Sequence, residues 1–122
     1  MTTLILIAED EFGLAEVMAQ MLLDRGYEVE VAVNGTAALA HMEVRLPDLV
    51  LVDLMMPILD GPGLVRRMRA EPTLAGVPVV VMTAMPGAVP ADIIPIVQGV
   101  LAKPFTPDAL MAAVESLQVP RE

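Results

Sequence analysis

The chain has no cysteine and no tryptophan, and it has one tyrosine and two phenylalanines among its 122 residues. The absence of cysteine excludes a disulfide framework, a thiolate metal site and a cysteine nucleophile. With so few aromatic rings, the core has to be built from aliphatic side chains and from methionine, of which there are ten. Basic residues are also scarce, seven against sixteen acidic ones, which gives a net charge of −9. So acidic a domain is not expected to bind nucleic acid.

No signal peptide and no membrane-spanning segment are expected. The amino terminus has no basic residue before its apolar run and reaches acidic residues at once. The one long uncharged stretch, 72–91, contains four prolines and two glycines, so it would not make an uninterrupted helix. The length fits one domain. We therefore expect a cytoplasmic, single-domain protein over 1–122 with no output domain.

Four short apolar runs end on residues that can take part in phosphoryl chemistry. Residues 4–8 lead into Glu9 and Asp10, 49–52 into Asp53, 79–82 into Thr83, and 100–102 into Lys103, the only lysine. Non-alternating runs rich in valine, leucine and isoleucine are typical of strands buried on both faces of a parallel sheet. Ligands bind outside the carboxyl ends of such strands. Three carboxylates, a hydroxyl and an ammonium are thus expected at one edge.

The rest of the chain alternates with these runs in a repeated strand–helix order. Strands are predicted at 4–8, 28–32, 49–53, 78–83 and 100–102, and helices at 12–25, 36–45, 61–70 and 107–118. The polar–apolar alternation over 28–31 places the second strand at an edge of the sheet. Asp60 and Thr106 are predicted N-caps. This order indicates an α/β domain with a doubly wound sheet.

A fourth helix belongs at 86–97, but the sequence there disfavours one. Pro86, Pro90 and Pro95 fall within this segment, and a proline inside a helix costs about 3 kcal/mol. The fourth helix is therefore expected to be short, irregular or mobile. The segment's apolar residues would mark an interaction site if they were exposed; they are Val89, Ile93, Ile94, Ile96 and Val97.

Four motifs together resemble the receiver domain of two-component response regulators, of the stand-alone, single-domain type. They are AEDE at 8–11, DLMMPILDG at 53–61, TA at 83–84 and KPF at 103–105. The resemblance implies a flavodoxin-like, doubly wound (βα)5 fold with a five-stranded parallel sheet. It also implies phosphoryl transfer from a histidine kinase or histidine-phosphotransfer protein to an aspartate, and a cis Lys103–Pro104 bond.

The same resemblance implies a role for each residue at the strand ends. Asp53 is the phosphoacceptor, since a positioned carboxylate is a competent nucleophile toward phosphorus. Glu9, Asp10, Asp53 and the backbone carbonyl of Met55 would hold Mg²⁺, a hard cation that prefers oxygen ligands. Thr83 would donate a hydrogen bond to a phosphoryl oxygen, and Lys103 would pair with Asp53 or the phosphoryl group. Mg²⁺ and the lysine would together offset the three negative charges.

Plainer interpretations of these residues remain open at the level of sequence. Asp53 could be a turn or cap residue, and Glu9 and Asp10 could cap the first helix. Thr83 could be an ordinary strand-end residue, and Lys103 a surface lysine. Elsewhere, the cluster of three arginines at 66–69 fits a solvated helix face better than a docking patch. Pro57, Asp60 and Gly61 are expected to shape the loop after Asp53, and His41 to lie on the surface.

One position departs from the family pattern. Val100 stands three residues before the lysine, where relatives often carry an aromatic ring that turns inward on phosphorylation, so the usual switch lacks its ring. We expect a downstream partner to bind the face formed by residues 86–105, and segment 86–97 to become ordered or disordered on phosphorylation. The protein would then be a regulatory phosphoacceptor that catalyses its own phosphorylation and dephosphorylation, not a conventional enzyme.

Three other functions share some features of this sequence. A pseudo-receiver interaction domain, with the site intact and the switch lost, is the main alternative. A phosphatase of the haloacid-dehalogenase type is disfavoured because Met55 stands where that family has its second aspartate. A flavin-binding flavodoxin is disfavoured because acidic residues occupy the turn that would bind phosphate at the first helix.

Overall fold

A computed structural model describes residues 3–117, which form a five-stranded parallel sheet between two layers of helices. The strands are β1 (Leu4–Ala8), β2 (Glu28–Ala32), β3 (Leu49–Asp53), β4 (Val79–Thr83) and β5 (Gly99–Ala102). Their order in the sheet is β2-β1-β3-β4-β5. The helices are α1 (Phe12–Asp24), α2 (Gly35–Val44), α3 (Gly61–Ala70) and α4 (Pro107–Ser116). The predicted flavodoxin-like fold and the edge position of β2 are confirmed.

The sheet separates two apolar clusters, because successive side chains of a strand point to opposite faces. In β1, for example, Ile5 and Ile7 face α1 and α4, whereas Leu6 and Ala8 face α2 and α3. Every residue of β1, β3 and β4 is buried. The apolar runs of β1, β3 and β4 are thus strands covered on both faces, as predicted. For the run at 100–102 the prediction is wrong, because the residues of β5 alternate between half-buried and exposed at the edge of the sheet.

Polar side chains fix the helix starts. The predicted caps Asp60 and Thr106 accept hydrogen bonds from the Gly63 and Ala109 amides at 2.8 and 3.0 Å. Glu11 caps α1 through its carboxylate, so the capping role considered for Glu9 and Asp10 is filled by their neighbour. The last predicted helix ends at Ser116, and its predicted end at residue 118 lies outside the described residues. No helix within the described range is both long and apolar enough to cross a bilayer.

Residues 86–98, which we call the crossover segment, connect β4 to β5 without an α-helix. Two 3₁₀ turns, Pro86–Ala88 and Ile94–Ile96, take its place, which confirms a short, irregular fourth helix. The condition set for an interaction site, that these apolar residues be exposed, is met by one of the five. Val89 and Ile93 are buried in the core and Ile96 and Val97 pack against it, whereas Ile94 is 54% exposed. These side chains fill the space over the sheet that a helix would have covered.

Two arginines of α3 contact the crossover segment. The expectation of a solvated basic face fits Arg66 and Arg67, which are exposed, and is wrong for Arg69. Arg66 donates two hydrogen bonds to the Asp92 carboxylate at 2.8 and 3.0 Å. Arg69 is half-buried and donates to three backbone carbonyls at 2.9–3.0 Å, those of Ala75, Val77 and Ile96. A guanidinium can do this because it carries five donors in one plane. Only Arg67, the third arginine of the cluster, is exposed without a hydrogen-bond partner among the described residues.

Candidate functional site

The carboxyl ends of β1, β3, β4 and β5 meet at one edge of the sheet. The register pairs Ala8 with Val52, Asp53 with Met82, and Thr83 with Ala102. The residues that end or directly follow these strands are therefore side by side, although they are far apart in the chain. The structure brings together all the predicted side chains of the site: Glu9, Asp10, Asp53, Thr83 and Lys103.

Three carboxylates form a cluster that can hold a metal ion. Glu9, Asp10 and Asp53 each offer an oxygen, and these oxygens all lie within 4.8 Å of one another. Glu9 is 1% exposed and Asp53 is 7% exposed, whereas Asp10 is exposed. Two of the acids are therefore sheltered, and the third is in contact with solvent. Carboxylate oxygens in such a group suit a small, hard divalent cation.

Lys103 bridges two of these carboxylates. Its Nζ lies 2.6 Å from Asp53 Oδ1 and 2.8 Å from Glu9 Oε1. The Lys103 amide donates to the Thr83 carbonyl at 2.8 Å, and the Lys103–Pro104 peptide bond is cis. The ammonium thus lies between two acids rather than in solvent, with its side chain 20% exposed.

The pKa values of the site show how strongly its charges depend on one another. Burial raises the pKa of Glu9 above its ordinary value, and repulsion from Asp53 adds to this, although hydrogen bonds from Lys103 and the Glu11 amide oppose it. Burial lowers the pKa of Lys103, but hydrogen bonds to Asp53 and Glu9 outweigh burial and raise it. Three ionised carboxylates and one ammonium leave two negative charges at the edge. A divalent cation would neutralise them.

Asp53 and Thr83 open into one cavity of about 220 Å³. Asp53 Oδ2 accepts a hydrogen bond from the Met55 amide at 3.2 Å. Thr83 Oγ1 accepts one from the Met85 amide at 2.9 Å, which leaves the hydroxyl proton free to be donated. Lys103 also lines the cavity, and the rest of its wall is apolar. A carboxylate, a hydroxyl that can donate its proton and an ammonium therefore face the same space.

The loop after β3 is drawn tightly beneath Asp53. A Cβ on Gly61 would lie 2.5 Å from the Asp53 carbonyl oxygen, so only glycine fits at that position. The Leu59 amide donates to the Pro57 carbonyl at 2.8 Å, which makes a three-residue γ-turn centred on Ile58 at φ 72°. A β-branched residue is strained there. The structural roles expected for Pro57 and Gly61 fit this geometry, whereas nothing in the sequence indicated the strain at Ile58.

Sequence reasoning missed two contacts of the site. The contact between Glu9 and Lys103 joins residues 94 positions apart, and the expectation for the lysine named only Asp53 or the phosphoryl group. The capping role of Glu11 had no clear signal, because serine, threonine, aspartate and asparagine are the preferred N-cap residues and glutamate is not among them. His41 was expected on the surface, but it is half-buried. It lies on α2, away from this edge, and its Nδ1 is 2.9 Å from Glu30 Oε1 on β2.

A family model described as the response regulator receiver domain matches residues 5–115. The DNA-binding response regulator MtrA of Mycolicibacterium paratuberculosis is 35% identical over 119 residues, which cover 92% of this chain and 49% of that protein. The MtrA protein of Mycolicibacterium smegmatis is 34% identical over the same shares of both chains. The chain thus spans about half the length of the curated relatives it matches.

Two solved structures give the same picture of the fold. The CheY-like response regulator receiver domain from Methylobacillus flagellatus superposes with a TM-score of 0.88 at 26% identity, covering 97% of this chain and 100% of the other. The signal receiver domain of a signal transduction histidine kinase from Syntrophus aciditrophicus gives a TM-score of 0.84 at 30% identity. The shared part covers 95% of this chain and 89% of that one.

Proposed function

The chain belongs to the response regulator receiver domain family, and from that premise we propose that Asp53 accepts a phosphoryl group from a histidine kinase or a histidine-phosphotransfer protein. The observation that carries the proposal is the position of Lys103 Nζ, 2.6 Å from Asp53 Oδ1. This contact holds a sheltered carboxylate beside a cation at the mouth of a cavity. In such an arrangement the cation reduces the repulsion between a carboxylate nucleophile and the anionic phosphoryl group that it attacks.

The residues of the site divide the work of the transfer. An oxygen of Asp53 attacks phosphorus, the bond from phosphorus to the donor's imidazole nitrogen breaks, and the imidazole leaves with the electron pair. The Lys103 ammonium stabilises negative charge on the phosphoryl oxygens, and the Thr83 hydroxyl donates a hydrogen bond to one of them. The transition state is loose, so positioning and charge account for most of the catalysis. Hydrolysis of the acyl phosphate by water returns Asp53 to its free state.

We further propose that Mg²⁺ is the cofactor. The acidic cluster fits it, because three hard oxygen ligands converge and two negative charges remain uncompensated. Glu9, Asp10, Asp53 and the backbone carbonyl of Met55 would hold the ion. When bound, Mg²⁺ supplies positive charge to the phosphoryl oxygens and orients them. Lys103 already contacts Glu9 and Asp53, two of the proposed metal ligands. When the ion binds, we expect Lys103 to give up its contact with Glu9.

The proposed output surface is the face formed by residues 86–105. Val100, at the edge strand β5, is 40% exposed, and the crossover segment adjoins the cavity through Ala88. A phosphoryl group in the cavity would therefore lie next to the start of the crossover segment. We propose that the crossover segment becomes ordered or disordered on phosphorylation. Amide exchange over 86–98, measured with and without beryllofluoride, tests this step, and identical exchange rates would contradict it.

A pseudo-receiver function is the second candidate. It is favoured by Val100, which offers no ring to turn inward, and by the absence of an α-helix within residues 86–98. In this case the protein would bind its partner with the same affinity whether or not Asp53 carries a phosphoryl group. Titration of a captured partner with the phosphorylated and free forms separates the two candidates.

We also propose that the protein is cytoplasmic and binds other proteins rather than nucleic acid. The MtrA relatives are named as DNA-binding, but this chain spans only about half of their length. Its own net charge of −9 would repel a phosphate backbone. DNA binding is therefore not proposed for the residues present here.

Intact-mass spectrometry after incubation with acetyl phosphate tests the proposed function. The wild type should gain about 80 Da in Mg²⁺, the mass of one phosphoryl group, and should gain nothing in EDTA. Asp53→Asn should gain nothing in either buffer. Asp108→Asn, a change to an exposed carboxyl on α4, is the matched control and should behave as wild type. An adduct on Asp53→Asn, or one that forms equally in EDTA, would contradict the proposal.

A further inference from the structure

We propose that Met55 and Met85 form a methionine oxidation site, and that their conversion to sulfoxides by a peroxide shortens the life of a phosphoryl group on Asp53. The effect on the phosphoryl group rests on the proposed function. The oxidation itself rests only on the exposure and the position of the two side chains.

The first observation is how unevenly the methionines are exposed. Nine of the ten lie between residues 18 and 111. Met55 is 75% exposed and Met85 is 65% exposed. Met21 is half-buried, and the other six are at most 8% exposed: Met18, Met42, Met56, Met68, Met82 and Met111. A peroxide dissolved in water therefore meets two thioethers long before it meets the others.

The second observation is that both exposed methionines flank the same cavity. Met55 and Met85 line its wall together with Asp53 and Thr83. Each is also fixed to the site through its backbone, because the Met55 amide donates to Asp53 Oδ2 and the Met85 amide donates to Thr83 Oγ1. A chemical change in either side chain thus occurs two residues from a group that contacts the phosphoryl position.

The chemistry needs only a two-electron oxidant of the hydroperoxide class. The thioether sulfur attacks one peroxide oxygen, the O–O bond breaks and an S–O bond forms. Sulfur is oxidised by two electrons, and after proton transfer the other oxygen leaves as water from hydrogen peroxide or as an alcohol from an organic hydroperoxide. The sulfoxide is polar and chiral, and methionine sulfoxide reductases convert it back to the thioether. The oxidation of the two methionines is therefore reversible.

The consequence follows from the nature of the cavity wall. Beside Asp53, Thr83 and Lys103 the wall consists of leucine, methionine and alanine, which offer a water molecule no side-chain hydrogen bond. A sulfoxide oxygen is a strong acceptor and would hold water beside the acyl phosphate. Because an apolar wall protects reactive intermediates from water, its loss should speed hydrolysis.

Peptide mapping tests the oxidation site directly. The folded protein is treated with hydrogen peroxide in limiting amount, and each methionine peptide is followed for a gain of about 16 Da, one oxygen atom. Met55 and Met85 should be oxidised first, Met21 more slowly and the six buried methionines last. Unfolding in urea should abolish this order. Oxidation of Met68 or Met82 in the folded protein as fast as that of Met55 would overturn the proposal.

The lifetime of the phosphoryl group tests the consequence. Oxidised and unoxidised proteins are loaded with acetyl phosphate, the donor is removed, and the decay of the adduct is followed by intact mass. Oxidation should speed the decay about three- to tenfold in wild type, because ordered water now has a polar anchor. In Met55→Leu/Met85→Leu, each preparation compared with its own unoxidised form, peroxide should change the decay very little. An equal acceleration in this variant, or none in wild type, would overturn the proposal.

The two experiments also separate this proposal from the proposed function. If the unoxidised wild type takes up no phosphoryl group, the proposed function fails and the lifetime effect fails with it. The peptide maps still decide the oxidation site, because they require no phosphorylation. Treatment with a methionine sulfoxide reductase should restore the original decay rate, and a rate that stays fast after the sulfoxides are reduced would count against the proposal.

Discussion

The acidic edge and the crossover segment lie next to each other, but they are held by different kinds of contact. At the edge, Lys103 pairs with Asp53 and Glu9 across 50 and 94 residues of chain. In the crossover segment, Arg69 donates a hydrogen bond to the Ile96 carbonyl and Ile93 is fully buried in the core. The order of parallel strands alone brings the residues of the edge together. The crossover segment depends on individual side chains that reach particular partners, so it can vary while the edge keeps its pattern.

The largest expected effect concerns the core contacts of the crossover segment. Ile93→Ala should lower the free energy of unfolding by about 3 kcal/mol, because it removes a fully buried side chain and leaves a cavity. Ile94→Ala, a change to a neighbour that is 54% exposed, should lower it by less than about 0.5 kcal/mol. Urea unfolding of both variants provides the measurement. Equal losses would mean that the crossover segment does not pack through Ile93.

The next effect concerns the edge. Lys103→Met should lower the free energy of unfolding in EDTA by about 1 to 3 kcal/mol, since two sheltered carboxylates lose their cation. Saturating Mg²⁺ should restore most of this loss by binding the folded state.

The control for this change is Arg25→Met. It removes an exposed ion pair with Glu115 at 3.5 Å. This should lower the free energy of unfolding by about 0.5 kcal/mol or less, with or without Mg²⁺. Urea unfolding of both variants in the two buffers gives the comparison. A loss in Lys103→Met that Mg²⁺ leaves unchanged would argue that the lysine and the ion do not share ligands.

A smaller effect is expected from the arginines of α3. Arg69→Met should lower the free energy of unfolding by about 1 to 2 kcal/mol, because it leaves backbone carbonyls without their donor. It should also speed amide exchange in the crossover segment while exchange in β1 and β3 stays slow. Arg67→Met, a change to an exposed neighbour, is the matched control and should do neither. Similar exchange in the two variants would show that the guanidinium of Arg69 is not what holds the segment.

The smallest effect is the pH dependence of the Arg66–Asp92 pair. The hydrogen bond from Arg66 lowers the pKa of Asp92 below its ordinary value. The pair's contribution to stability is therefore present above the ordinary pKa of an aspartate and is lost as the pH falls through the lowered value. An NMR titration of the Asp92 carboxyl should show its midpoint rising in Arg66→Met. An unchanged midpoint would mean that the pair is not formed in solution.

The two regions also differ in how far the sequence could predict them. Apolar runs that end on Glu9, Asp53, Thr83 and Lys103 were enough to predict the sheet and the meeting of these side chains, because parallel strands end at a common edge. The prolines of the crossover segment predicted the loss of its helix. Nothing in that pattern could show that Arg69 reaches the Ile96 carbonyl, 27 residues away. Such contacts depend on the path of an irregular backbone, which composition and periodicity do not encode.

The order of the site residues along the chain also sets the order in which a ribosome makes them. Lys103 is the last of them, 50 residues after Asp53 and 94 after Glu9. At about 5–20 residues per second, Lys103 is synthesised roughly 3 to 10 seconds after Asp53 and roughly 5 to 19 seconds after Glu9. If β1 and β3 pair in that interval, they bring Glu9, Asp10 and Asp53 together before Lys103 exists. The acidic edge thus gains its lysine only after the last strand of the sheet has been made, and two negative charges then remain for a divalent cation.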